Sequence, residues 1–204
     1  MGKLEVNKKA KEDSLLMTAY RLFTTKGVTG TSVSDIAHSA GVGKGTFYLY
    51  FKDKYDLKNR LVAKHSSRLF KTAMAQLESS GRELDFKEKI IFIIDSILDQ
   101  LVENQALLTF ISKNLSWGIF KNALTAHSQN DELDFLSVYN EMLADAPREI
   151  HDPEIMLFMI VELISSTCYS AILYSEPVSL EELKPHLYRS INDIIDRHMQ
   201  QPLE

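Results

Sequence analysis

The segment Gly41-Val42-Gly43-Lys44-Gly45-Thr46 carries the residue types that cradle a phosphate: close-set glycines, a lysine and a hydroxyl. Its spacing is wrong for a nucleotide loop. Such a loop needs a glycine, four residues and then Gly-Lys-Ser/Thr, following a strand; this chain offers Gly-Lys-Gly-Thr with no strand-like run before it. The six histidines show neither His-x3-His nor His-Glu-x-x-His spacing, and Cys168 is the single cysteine, so neither a metal site nor an intrachain disulfide is expected. Ser165, Ser166 and Thr167 have no base at a spacing that would make one of them a nucleophile. The reading is of a protein that is not an enzyme and has no cofactor. Glu162 stands out within the apolar run Ile155–Ser166, where a carboxylate must find a partner; a cationic ligand, a partner arginine or a solvent-facing rim would each account for it.

The glycine segment runs directly into Phe47, Tyr48, Tyr50 and Phe51, and these aromatics belong to helices. Leu15, Leu16, Ala19, Leu22 and Phe23 share one face of a helix over 11–26 that stops at Gly27. Ser32 and Asp35 make a capping-box pattern for a two-turn helix ending at Gly41. A third short helix follows, with Phe47 and Phe51 on its inner face. Asp53 then caps a helix over about 54–79, in which Leu57, Leu61, His65, Leu69, Ala73 and Leu77 recur every four residues.

Further helices are expected from the apolar runs around Ile90–Leu101 and Leu107–Leu115, then over 131–145, 153–174 and 180–198. Residues 125–132 read as a loop, Asp152 as an N-cap before Pro153, and Pro185 as either a kink or the true first turn of the last helix. The fold class is all-α, about nine helices in total: a three-helix N-terminal unit over 9–71, joined by a long helix to a larger bundle over 72–204. No signal-peptide core and no run of 18 apolar residues is found, so a cytoplasmic protein without a membrane span is expected.

Charge divides the chain the same way. Residues 1–71 hold 14 Lys and Arg against 6 Asp and Glu, a charge of +8, whereas the remainder holds 9 against 22, a charge of −13. A basic head on an acidic body points to a polyanion met by the head alone. The two short helices around Gly41, a motif over 32–51, have helix-turn-helix proportions that place the second in a DNA major groove. With Phe47 and Phe51 inward, the opposite face presents Gly45, Thr46 and Leu49, flanked by Lys44, Tyr48 and Tyr50. Gly45 clears space for DNA, Thr46 and Leu49 suit base edges, and Lys44, Tyr48, Tyr50 and Lys54 suit phosphates. The N-terminus of the fourth helix would add a backbone anion site.

Residues 26–57, "KGVTGTSVSDIAHSAGVGKGTFYLYFKDKYDL", closely resemble the DNA-binding domain of the TetR family of transcriptional regulators. The matching landmarks include Gly27, Thr31, Ile36-Ala37, Ala40-Gly41-Val42, Gly45, Phe47-Tyr48, Tyr50-Phe51 and Lys54. One departure is Gly43, where the family often has Ser. The resemblance implies a homodimer on a palindromic operator, with a small-molecule pocket in the C-terminal bundle and a repressor released by its effector. Thr46, Tyr48, Tyr50 and Lys54 occupy positions that contact DNA in similar proteins.

Phe92, Phe110, Trp117, Phe120, Met159 and Glu162 are the candidate pocket residues. The excess of apolar surface on 153–174 and 180–198 predicts that these two helices form the dimer interface. The alternative is a helical small-molecule-binding protein or enzyme with a vestigial DNA-binding head. A DNA-packaging protein would leave the acidic bundle without a purpose.

Overall fold

The computed structural model describes residues 3–115, 117–119 and 135–200. Among them lie the helices α1 Lys3–Lys26, α2 Val33–Ser39, α3 Lys44–Tyr48, α4 Lys54–Ser79, α5 Phe86–Glu103, α6 Gln105–Asn114, α7 Phe135–Ala144, α8 Pro153–Tyr174 and α9 Leu180–His198, and residues 117–119 are helical as well. No strand occurs among the described residues. The loop expected over 125–132 and the candidate pocket residue Phe120 lie outside them.

Local chemistry sets most of the helix starts. The Ser32 hydroxyl accepts from the Asp35 backbone N–H, while the Asp35 carboxylate accepts from the Ser32 N–H; Ser179 with Glu182 repeats the arrangement at α9, and Asp85 with Glu88 adds one at α5. Each such cap is worth about 1 kcal/mol. Asn104 ends α5, and its side chain accepts from Leu107 to start α6, so a single residue turns the chain between two helices. Asp152 departs from expectation. It precedes Pro153 at the first turn of α8, but it lies in the left-handed region at φ 49° and makes no side-chain cap bond. Pro185 is inside α9, which begins at the Ser179 cap, so it is not the helix start.

α1 packs on α2 and α4, and α2 on α3, around Leu15, Ala19, Phe23, Ile36, Phe47, Phe51 and Leu57. Phe47 and Phe51 are closed from solvent, each contributing about 1.5–3 kcal/mol of apolar burial. The same cluster takes in Leu107, Leu108, Phe110 and Ile111, because α6 packs on both α1 and α4. The N-terminal unit and the bundle therefore share one core at this junction. A second cluster joins α5, α8 and α9 through Leu98, Met156, Ile160, Leu187, Ile191 and Ile195. α4, about 39 Å long at 1.5 Å per residue, connects the two regions.

By length and composition alone, α8 is apolar enough to cross a bilayer. In this fold one side of it packs on α6 and α9. Its other side leaves Ile155, Phe158 and Met159 exposed.

Candidate nucleic-acid interface and apolar cavity

α3 is held by its inner face. The Phe47 ring sits 5.5 Å from Phe51, and the Arg60 guanidinium lies 5.1 Å from the Phe51 ring. The turn that delivers α3 is closed by Val42 N–H donating to Ala37 O at 3.0 Å, with Gly41 at φ +70°, a conformation that favours glycine. The helix is shorter than expected. It spans five residues, after which Leu49 and Tyr50 continue as a turn, Leu49 N–H donating to Thr46 O and Tyr50 N–H to Phe47 O.

The outward face agrees with the expected geometry. Lys44, Gly45 and Tyr48 are exposed, Thr46 and Tyr50 are half-buried, and Leu49 is 79% exposed. Tyr50 packs partly against the core while its neighbour Tyr48 stands out. A Cβ built on Gly43 or Gly45 would meet nothing within 4 Å. Glycine inside a helix costs about 1 kcal/mol against alanine, and at Gly45 the fold of this chain takes nothing in exchange.

Lys54 occupies a different place from the one its type suggested. Its ammonium donates to the carbonyls of Val28 and Thr31, both at 2.8 Å, and reaches Thr29 O at 3.4 Å. It ties the first turn of α4 to the α1–α2 connection, where Thr31 is buried and its hydroxyl donates to Gly27 O at 2.8 Å. The N-terminus of α4 is likewise filled from within. The Asp53 carboxylate accepts from Tyr55 and Asp56 N–H, both at 2.8 Å, and Asp56 accepts from Lys52 N–H. A bound anion would compete with a carboxylate already there, so the expected backbone anion site is not open.

In the bundle, a cavity of about 210 Å³ is walled by α4, α5, α6, α7 and α8. Ile93, Ile94 and Ile97 of α5 face Met156, Ile160 and Ile164 of α8, with Leu108 and Ile111 of α6, Met142 of α7 and Leu69 of α4 closing the sides. Its polar groups are hydroxyls, from Ser66, Ser67, Ser112, Ser165, Tyr139 and Tyr169, and the Cys168 thiol. Ser112 donates to Leu108 O and Tyr139 to Pro153 O, each at 2.7 Å. Burial raises the Cys168 thiol above its ordinary pKa and the Tyr139 phenol well above its own, so both are neutral.

None of the five described candidate pocket residues lines this cavity. Phe110 points the other way, edge-on to Tyr20 at 5.4 Å and stacked with Phe23 at 6.4 Å. Phe92 lies under the Arg82 guanidinium on the outer side of α5. Trp117 meets Phe158 edge-on at 5.2 Å, and Met159 and Glu162 are exposed on the free face of α8. Helical spacing shows which residues share a face but not which neighbour that face meets. The isoleucines that do line the cavity are indistinguishable in sequence from ordinary core.

His65 also lies outside the cavity wall. Its ring lies against Tyr20, tilted by 35° with centroids 4.4 Å apart, and meets Phe110 at 6.4 Å. Burial first, then the charges of Lys64 and Arg68, lower its pKa below the ordinary 6.5.

A family model described as "Bacterial regulatory proteins, tetR family" matches residues 15–61, the segment that carries α2, α3, their connecting turn and the buried face of α1. Residues 15–61 thus carry a TetR-type sequence. The transcriptional regulator AcrR of Shigella flexneri is 33% identical over 88 residues, 42% of this chain and 41% of AcrR. The chain thus spans less than half the length of the curated relatives it matches first. The transcriptional regulator SAB2452 of Staphylococcus aureus aligns over 88% of this chain and 91% of its own length at 24% identity. Among solved structures, the transcriptional regulator FadR of Bacillus subtilis, in complex with stearoyl-CoA, superposes with a TM-score of 0.60 at 20% identity, covering 87% of this chain and 96% of its own. That likeness extends the TetR-type fold through the bundle.

Proposed function

We propose that this chain is a sequence-specific transcriptional repressor that binds a palindromic operator as a homodimer and is released by a small molecule held in the bundle. The observation that carries the reading is the outward face of α3. A helix residue, Gly45, forgoes a side chain that its own fold has room for, beside an exposed Leu49 and Tyr48, on a domain of net positive charge within a TetR-family segment. A backbone approaching DNA explains that glycine. Lys44, Thr46, Tyr48, Leu49 and Tyr50 form the contact set, Thr46 and Leu49 facing base edges and the others phosphates. Lys54 supports them from behind by fixing the α1–α2 connection against α4.

The second copy would cover the free face of α8, where Ile155, Phe158 and Met159 are exposed, together with α9, which packs beside it. Glu162 and Ser166 sit on that face and would be shared by the two copies. The effector site is the 210 Å³ cavity. Its walls include α4 and α6, and α6 also packs on α1, so a ligand there can bias the position of the DNA-binding domain. FadR of Bacillus subtilis, with stearoyl-CoA bound, is a fold neighbour that holds a ligand. Acting on DNA places the protein in the cytoplasm.

The test is binding of the purified chain to DNA upstream of its own gene, at two salt concentrations and against scrambled DNA of equal length. A specific complex with a steep salt dependence is expected. Equal affinity for both DNAs would refute the reading.

A further inference from the structure

We infer that the bundle cavity selects an uncharged, largely hydrocarbon molecule of roughly eight or nine heavy atoms bearing at most one hydroxyl or carbonyl group. The inference deepens the effector reading above and rests on it. Among the described residues, the wall contains no Asp, Glu, Lys, Arg or His. Its polar groups are hydroxyls and one buried thiol, and two of the hydroxyls already donate to backbone carbonyls. A carboxylate, phosphate or ammonium entering this space would lose its hydration and meet no opposite charge, which disfavours its binding. A single alcohol or ester oxygen can share a serine hydroxyl at Ser67 or Ser165 and avoids that cost.

Size narrows the class further. An apolar cavity of about 150 Å³ accommodates benzene, six heavy atoms, and the same ratio gives about eight or nine for the present 210 Å³. A stearoyl chain exceeds that by about twofold, and its coenzyme A head would need cations that these walls lack.

The experiment uses the full chain and three probes: 1-octanol, octanoate and octanoyl-CoA, titrated calorimetrically at pH 8. Spectra of chain labelled with ¹³C-methyl methionine locate the binding. We expect 1-octanol to bind, and octanoate and octanoyl-CoA to bind about a hundredfold more weakly or worse. The Met142 and Met156 methyl signals, both in the wall, should shift with 1-octanol, while those of Met17 and Met159, exposed elsewhere, should not. Ser165→Phe, which fills the cavity from α8, should abolish the binding; the unmodified chain with three probes carries the test even where that variant folds poorly.

Octanoate or octanoyl-CoA binding as tightly as 1-octanol would overturn the inference. So would the absence of 1-octanol binding, or binding that leaves Met142 and Met156 unmoved. Operator affinity measured with and without 1-octanol separates the two claims. A filled cavity with unchanged operator affinity supports the ligand class and refutes release. Release by octanoate alone keeps the regulatory reading and sinks the ligand class.

Discussion

The imidazole of His65 lies on the phenol ring of Tyr20, centroids 4.4 Å apart, and both meet the edge of Phe110. Three helices meet there: α1 of the N-terminal unit, the connecting α4, and α6 of the cavity wall. A proton on His65 would place a charge between two aromatic rings with Lys64 and Arg68 nearby. Because its folded-state pKa lies below the unfolded value, the unfolded chain takes up the proton first. Stability is therefore full above about pH 6.5 and falls as pH drops from there toward the folded pKa. Denaturant midpoints at pH 7.5 and 5.5 should show a larger loss for the natural chain than for His65→Phe, which keeps the ring and removes the proton site. Equal losses in the two proteins would exclude this role for His65.

Lys54 gives a prediction of a different kind. Its ammonium is committed to the Val28 and Thr31 carbonyls, so Lys54→Met leaves two part-buried acceptors unpaired and should cost about 1–3 kcal/mol in denaturant unfolding. Operator affinity should fall because α3 loses its support. The slope of log affinity against log salt should stay unchanged, since no phosphate contact is removed. A direct phosphate contact would instead lower that slope by about one.

These two residues mark where sequence reading succeeds and where it stops. The bounds of α4, α8 and α9 were legible because Asp53, Pro153 and Ser179 announce helix starts and the leucines of α4 recur every four positions. The division of α3 into buried phenylalanines and an outward face was legible for the same reason: angular spacing within one helix is local information. What a face meets is not local. Lys54 reads as a free cation until a carbonyl 23 residues earlier in the chain is brought to it. Phe110 reads as a pocket residue until α6 turns it toward Tyr20 and Phe23. Glu162 admits a cationic ligand, a partner arginine or a solvent-facing rim until the exposed face of α8 decides for the last.

Gly45 separates stability from function. A Cβ at this position has open space around it, so Gly45→Ala should fold normally and gain about 0.5–1 kcal/mol of stability through the better helix former. Operator affinity should nevertheless drop at least tenfold, because the added methyl group holds the helix backbone away from DNA. Thermal unfolding and fluorescence anisotropy on one preparation measure both. A more stable variant with undiminished operator binding would show that the face of α3 does not approach DNA closely.

The free face of α8 tests assembly. Ile155 is 52% exposed and Met159 is 43% exposed, one turn apart on the same side of the helix, so a charge at either costs little in an isolated protomer. In a dimer the same charge would be buried against an apolar partner surface. Ile155→Asp and Met159→Asp should therefore leave helix content intact, convert a sedimenting dimer to a monomer at micromolar concentration, and remove the concentration dependence of the melting temperature. Operator affinity should fall steeply as well, since two half-sites would no longer be held by one rigid body. If both variants still sediment as dimers, the second copy docks elsewhere and the exposed apolar face of α8 serves another partner.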